Sequence, residues 1–292
     1  MPVPAVSVII PAYDRAQSVG DAITSVLAQE GVALEVIVVD DASTDDTAAV
    51  VAAMTDPRLR LIRHPRNMGV SAARNTGIAA ARGALIAFQD SDDLWLPGNL
   101  AAQVAALHAA PRAVASYCGM IVENPEVVGG KGSFYMPPKD QRVRSGDLHL
   151  ALLGGNFIST QTLVVRRAAI GQVGAFDPGL PALVDWDFVL RLSALGPIML
   201  VDKPLVQQRY SENSLTRSLE KRLHGYLGIL EKHRADFAAH PALLARHHHR
   251  IAGVCRRLGR RPQARHHILA ALREQPLAPR RWAQALWLML HR

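Results

Sequence analysis

The sequence predicts an α/β protein built on a mostly parallel sheet with helices flanking both faces. Three observations carry this. Short β-branched runs alternate with segments of helical spacing through the first hundred residues, the runs read as buried, and acidic residues collect immediately after them. Apolar runs of that kind belong to sheets covered on both faces. In such sheets, ligands bind outside the carboxyl ends of the strands.

Val6-Ser-Val-Ile-Ile10 and Leu34-Glu-Val-Ile-Val-Val39 are strands bounded by turn residues. Between them, Val19, Ile23, Val26 and Leu27 give Ser18 to Gln29 the spacing of an amphipathic helix. Ser43-Thr-Asp-Asp-Thr47 reads as a helix start before Ala48 to Met54, and Arg60-Leu-Ile62 as a short third strand. Ser71 to Ala81 is an alanine-rich helix stopped by Gly83, and Ala84 to Phe88 is the fourth strand. Glu123 to Gly146, rich in Gly, Pro and charge, predicts a long surface loop of the kind that serves as a lid or binding loop. Thr162-Leu-Val-Val165 restores regular structure, followed by the turn Gly174 to Gly179 and a helix over Asp185 to Ala194. From Leu215 onward the pattern is helical, with breaks near Pro241, Pro262 and Pro276.

Composition narrows the class. A chain of 292 residues with 49% hydrophobic and 20% charged residues is of ordinary globular make-up and holds one large core or two smaller ones. Cys118 and Cys255 offer neither a metal spacing nor a disulfide framework, which fits a reducing compartment. The first apolar run is only Val6 to Ile10, with Pro11 and Asp14 directly behind it and no basic leader. The expectation is therefore no signal peptide or membrane span, and a cytoplasmic location. Net charge is +8, but Arg217 to the end carries 16 Lys and Arg against 4 Asp and Glu, leaving 17 against 21 before it. This divides the chain into a domain over 1–216 and a basic helical extension over 217–292. Such a tail suggests an anionic partner. A membrane surface is preferred over nucleic acid, because no nucleic-acid-binding module or aromatic stacking pattern accompanies the charge.

Phe88-Gln-Asp-Ser-Asp-Asp-Leu-Trp95 places Asp90, Asp92 and Asp93 together at the end of strand four. Like charges raise one another's pKa, so they must be solvated in the turn, cap a helix or face a cation. Related clusters end the other strands: Pro11-Ala-Tyr-Asp14 after the first and Asp40-Asp-Ala-Ser-Thr-Asp-Asp46 after the second. With Asn67-Met-Gly-Val-Ser-Ala-Ala-Arg-Asn-Thr-Gly77, Gly174-Ala-Phe-Asp177, Asp185-Trp-Asp187 and Arg209-Tyr210 in order, the chain resembles the inverting family 2 glycosyltransferases over roughly residues 5 to 217.

The resemblance implies a GT-A (Rossmann-like) fold, a nucleotide-diphosphate sugar donor, usually a uridine nucleotide, and a divalent metal, Mn or Mg, at the Asp-x-Asp turn. It makes Asp93 the metal ligand and Asp92 a contact to the donor ribose, with Asp90 one step outside the matched positions. Pro11, Ala12, Tyr13 and Asp14 would line the base and ribose pocket, although the family often has Asn where Asp14 stands. One of Asp40 and Asp41, with Asp41 preferred, would accept the uracil ring N–H. Arg74 would approach the donor, an ion pair with a nearby Asp being the plain alternative. An inverting transfer also needs a base for the attacking hydroxyl. By resemblance this is Asp185, with Asp187 the competitor. Favourable charge at a helix start accounts for Asp187 better than for Asp185.

Two departures stand out: Val184 where a Glu is common, and Ser211 where many relatives have a His that reaches the diphosphate or metal. The tail's His247-His-His-Arg250 and His266-His267 read as a solvated helical face rather than a metal site. Trp282 to Leu290 is too short to span a bilayer, and it suits either an interfacial helix or a packed last helix. The expectation is a cytoplasmic, metal-dependent transferase that makes or extends a cell-surface polysaccharide or lipid-linked glycan. The alternative is a noncatalytic sugar-nucleotide-binding scaffold in an assembly complex.

Overall fold

The computed structural model describes residues 3–123, 132–209 and 218–278, with Trp282 and Ala285. The chain forms two compact units. The first holds Met1–Leu152, Asn156–Pro178 and Phe188–Glu212, and the second holds Leu153–Gly155, Gly179–Asp187 and Asn213–Arg292.

In the first unit, β1 (Val6–Ala12), β2 (Leu34–Asp40), β3 (Leu59–Arg63) and β4 (Leu85–Phe88) run parallel in the order β3-β2-β1-β4. Between them come helices α1 (Val19–Leu27), α2 (Thr47–Ala52) and α3 (Val70–Ala80). Val19, Ile23 and Val26 of α1 join Val6, Val8, Ile10, Val36 and Val38 in one core beneath the sheet. On the other face α3 lies against β1. A β-carbon at Gly77 would stand 2.4 Å from Ile9 Cγ2, so a larger residue there would push the helix off the sheet. Crossover helices of this kind keep β1, β2 and β4 aligned with their carboxyl ends together.

The sheet continues through β5 (Leu94–Trp95), β6 (Ala115–Glu123), β7 (Ser133–Met136), β8 (Leu163–Arg166) and β9 (Ile198–Gln208), in the order β4-β8-β6-β9-β5 with β7 on β6. β8 is antiparallel to β4 and β6, β5 is antiparallel to β9, and β6 is parallel to β9. The parallel character is thus concentrated in the first four strands. Part of the expected loop after Glu123 is strand, since β7 pairs antiparallel with Met120 to Glu123; residues 124–131 lie outside the described residues. Helices α4 (Asn99–Ala109), α5 (His149–Leu153), α6 (Arg167–Val173) and α7 (Val184–Leu195) complete this part of the chain, the first turn of α7 belonging to the second unit.

The second unit is helical: α8 (Leu219–Lys232), α9 (Arg234–Ala238), α10 (Pro241–Arg257) and α11 (Arg261–Glu274). Pro241 and Pro262 stand in the first turns of α10 and α11, where a missing N–H removes no helical hydrogen bond. The histidines do not form one solvated face, although His266 is exposed. His247 has no exposure and packs against Trp186, Tyr226 and Phe237, while His248 Nδ1 stands 3.0 Å from His267 Nδ1. Among the described residues no three His, Cys, Asp or Glu side chains converge as a metal site, and no helix is long and apolar enough to cross a membrane. Tyr210, Ser211 and most of Trp282 to Leu290 lie outside the described residues.

Candidate active site

Because β1 is flanked by β2 and β4, the segments leaving these three strands lie side by side. Pro11 and Ala12 close β1 opposite Val39 and Asp40. Just beyond, Asp14 (φ 51°) and Ala42 (φ 61°) both take left-handed backbone conformations that are costly for residues with a β-carbon. The two turns hold one another there. Asp14 N–H donates to Ser43 Oγ at 3.0 Å, and Asp14 Oδ1 accepts from Thr44 N–H at 2.8 Å and Thr44 Oγ1 at 3.2 Å. Ser43 is therefore spent on this bridge, and Asp45 Oδ1 takes the Thr47 N–H at the start of α2. Tyr13 stands at the rim, 42% exposed.

Asp40 and Asp41 are both buried, in different company. Asp40 Oδ1 accepts from Ser43 N–H at 3.0 Å and its Oδ2 meets Arg63 Nε at 2.9 Å. Asp41 is more heavily engaged: Met68 N–H and His64 Nδ1 lie 2.9 and 2.6 Å from Oδ1, and Gly69 N–H lies 2.7 Å from Oδ2. His64 Nε2 in turn meets Thr76 Oγ1 of α3 at 2.9 Å. Asp41 thus clamps the turn before α3 to β2. Asp40 keeps more unfilled acceptor capacity.

In the third segment, a turn brings Asp93 N–H to Asp90 O at 3.2 Å. The three carboxylates have separate fates. Asp90 pairs with Arg74 Nη2 at 2.7 Å; Arg74 is 5% exposed, lies over the Phe176 ring and has no partner for its Nε among the described residues. Asp92 pairs with Arg15 Nε at 3.5 Å. Asp93, only 2% exposed, meets no cationic side chain among the described residues: its Oδ2 accepts from Gln161 Nε2 at 2.9 Å and its Oδ1 from Arg209 N–H at 3.1 Å. Burial, with the charges of Asp90 and then Asp92 added, pushes its pKa up to about 9, against the two hydrogen bonds.

This chemistry fits a hard cation. A magnesium-type ion is commonly held by one or two carboxylates with substrate phosphates completing its shell, so a converging trio of side chains is not required. Gln161 and His64 were not foreseen as participants, and Arg209 enters through its backbone N–H. Arg209 stood in a quoted motif, whereas Gln161 and His64 gave no local signal.

Asp185 lies in the second unit, in the first turn of α7 and partly exposed. Leu183, two residues before it, has φ 61°, a third strained position beside a predicted site residue. Asp187 is fully buried and meets Lys232 Nζ at 3.0 Å and His233 Nε2 at 3.1 Å. That ion pairing makes it a structural anchor of the turn.

The profile of Glycosyl transferase family 2 matches residues 7–170, over half of the chain. The chain belongs to this family. It is a glycosyltransferase, with the α/β architecture of GT-A enzymes and a helical C-terminal extension. Among relatives, the succinoglycan biosynthesis protein ExoO of Rhizobium meliloti is 48% identical over 204 residues, covering 66% of this chain and 56% of that protein. The chain thus spans little more than half the length of that relative. The Escherichia coli protein WfgD, a UDP-Glc:α-D-GlcNAc-diphosphoundecaprenol β-1,3-glucosyltransferase, is 37% identical over 243 residues, covering 81% of this chain and 87% of WfgD. In fold, the chain is similar to S. aureus TarS residues 1–349 in complex with UDP-GlcNAc, with a TM-score of 0.69 at 20% identity, covering 92% of this chain and 81% of that one.

Proposed function

We propose that this glycosyltransferase moves a sugar from a uridine-diphosphate sugar to a hydroxyl of a lipid-linked glycan, with inversion, during assembly of a polysaccharide. The observation that carries the reading is Asp93, a buried carboxylate whose two neighbours each pair with an arginine while it meets none among the described residues. A divalent cation, Mn or Mg, would answer that deficit and, when bound, neutralise charge growing on the departing diphosphate. The names of ExoO and WfgD support the polysaccharide context, the uridine nucleotide and the lipid-linked acceptor.

In this account residues 1–216 carry the transfer. Asp93 holds the cation, and Asp92 meets the ribose. Pro11, Ala12, Tyr13 and Asp14 border the nucleoside, and Arg74 steadies the acidic turn through Asp90. Asp40 takes over from Asp41 as the preferred acceptor for the uracil N–H, because Asp41 already serves the turn before α3. Asp185 removes the proton from the acceptor hydroxyl as its oxygen bonds to the anomeric carbon. The bond from that carbon to the diphosphate breaks, and its electrons leave with the nucleotide.

The test is turnover of a panel of nucleotide sugars with a diphosphate-lipid acceptor, in Mn, Mg or chelator, with product anomers assigned by NMR. Expected are cation-dependent release of UDP, an inverted product, loss of transfer in Asp93→Ala and a fall of about 100- to 10,000-fold, still measurable, in Asp185→Asn. Transfer that ignores chelator, or a product of retained configuration, would overturn it.

A further inference from the structure

The turn carrying Asp185 is packed against helices that come later in the chain. It follows a run with Pro178, Gly179 and Pro181, and its backbone is strained at Leu183. Its anchors come from helices 40 and more residues later in the chain, all inside the second unit. On α8, a β-carbon at Gly225 would stand 2.8 Å from Ala182 O, and one at Gly228 would stand 2.3 Å from Leu180 Cδ2. Two glycines three residues apart leave a groove on the helix, and the segment 180–183 lies in it. Beyond it, Asp187 is fixed by Lys232 and His233 at the end of α8.

Trp186 is held more fully still. Its ring is 2% exposed, with Tyr226 of α8 edge-on at 6.0 Å and His247 of α10 at 5.5 Å. Arg250, one helical turn after His247, places its guanidinium carbon 5.6 Å from the Trp186 ring centre and donates from Nη2 to Gly154 O at 2.5 Å. A guanidinium over an indole is attracted by the ring's negative face. Arg250 therefore fastens two separate pieces of chain, Gly154 just after α5 and the first turn of α7. Its Nη1 is buried without a partner among the described residues, a cost that a residue kept only for solubility would not carry.

Successive helical residues are turned by about 100°, so fixing Trp186 and Asp187 inward fixes the direction in which Asp185 leaves the helix. We infer that the C-terminal helices are part of the transfer machinery: α8 and α10 set the orientation of Asp185, and Arg250 is a positioning residue acting on it through Trp186. This rests on the reading of Asp185 as the base, and it assigns the tail a task distinct from any surface it docks on.

The experiment is a double-mutant cycle on the full chain, with steady-state transfer from a UDP-sugar to a diphosphate-lipid acceptor. Wild type, Arg250→Ala, Asp185→Asn and the double variant are compared, with Arg250→Lys alongside and folding checked by thermal unfolding. Arg250→Ala is expected to lower kcat by about 10- to 100-fold while the KM for the UDP-sugar stays within about twofold. Arg250→Lys, which keeps a cation over the indole and one donor for Gly154, recovers most of the loss. In the Asp185→Asn background, removing Arg250 is expected to cost less than about twofold more, because the group it orients is already disabled. An equal factor in both backgrounds, or a loss confined to the KM for the UDP-sugar, would overturn the inference while leaving the base intact. Undiminished transfer in Asp185→Asn would instead sink the base assignment.

Discussion

Asp93 is costly to keep ionised where it sits, 2% exposed with two other carboxylates in the same turn. Its pKa rises from an ordinary 3.8 to about 9, so between those values the folded protein retains a proton that the unfolded chain has released. The cation-free protein must therefore lose stability as pH rises across that window. Asp93→Asn keeps the shape without the charge. Its Tm at pH 8 without metal should exceed the wild type's, by about 2–4 °C for each kcal/mol recovered, while Mn with a UDP-sugar should raise the wild type's alone. An Asn variant that melts earlier than wild type at pH 8 would show that the carboxylate is not under this strain. Residue by residue, the acidic turn was legible because a tight turn at a strand end fixes neighbours in sequence as neighbours in space. Gln161, 68 positions from Asp93, and His64, 23 from Asp41, were not legible, since only tertiary pairing of strands brings them there.

Among elements, β1, β2 and β4 were readable because each is a buried apolar run, and α1 because its apolar period is strong; β3 was read as a strand although it is only partly covered. β6, β7 and β9 were not. β7 is only half-covered, and in β9 the apolar run Ile198 to Val201 is broken by the exposed Asp202, Lys203 and Pro204. Glu35 shows a different device, at the opposite ends of the strands from the site. It is 1% exposed inside β2, takes a hydrogen bond from Ser7 Oγ at 2.7 Å, and receives Arg82 through its backbone N–H and Nε at 2.9 Å each. Burial alone would raise its pKa, but the hydrogen bonds from Ser7 and Arg82 outweigh it and hold the carboxyl below its ordinary 4.5. A depressed folded-state pKa gives stability that is present above the unfolded value and is lost as pH falls. Glu35→Gln should therefore cost about 1–3 kcal/mol in urea unfolding at pH 7, with the gap to wild type closing below about pH 4. A gap that persists undiminished at pH 3 would show that shape, not charge, ties the α3–β4 turn to the sheet.

On the scale of the whole molecule, the basic excess of the sequence falls among helices α8 to α11, where acids are few and arginines many. The second unit also carries Leu277 at 94% exposure and Trp282 at 46%. Basic and apolar groups together suit an anionic lipid surface, and an enzyme acting on a lipid-linked glycan would work at one. Co-sedimentation with phosphatidylglycerol vesicles should be strong at low salt and fall at high salt, and uncharged phosphatidylcholine vesicles should leave the protein in solution. Equal recovery with both would remove charge from the account. What composition could not reveal is that the same helices anchor the turn of Asp185, because Arg250 and Trp186 stand 64 positions apart in the chain. A cation held by Asp93 against a sugar-nucleotide diphosphate would show in calorimetric titration of UDP-glucose into wild type and Asp93→Asn, each in Mn and in chelator. Binding to wild type should be at least about tenfold tighter in Mn, a gain of about 1.4 kcal/mol, with no such gain for the variant. Equal affinity in Mn and chelator for the wild type, or the same Mn gain in Asp93→Asn, would contradict it.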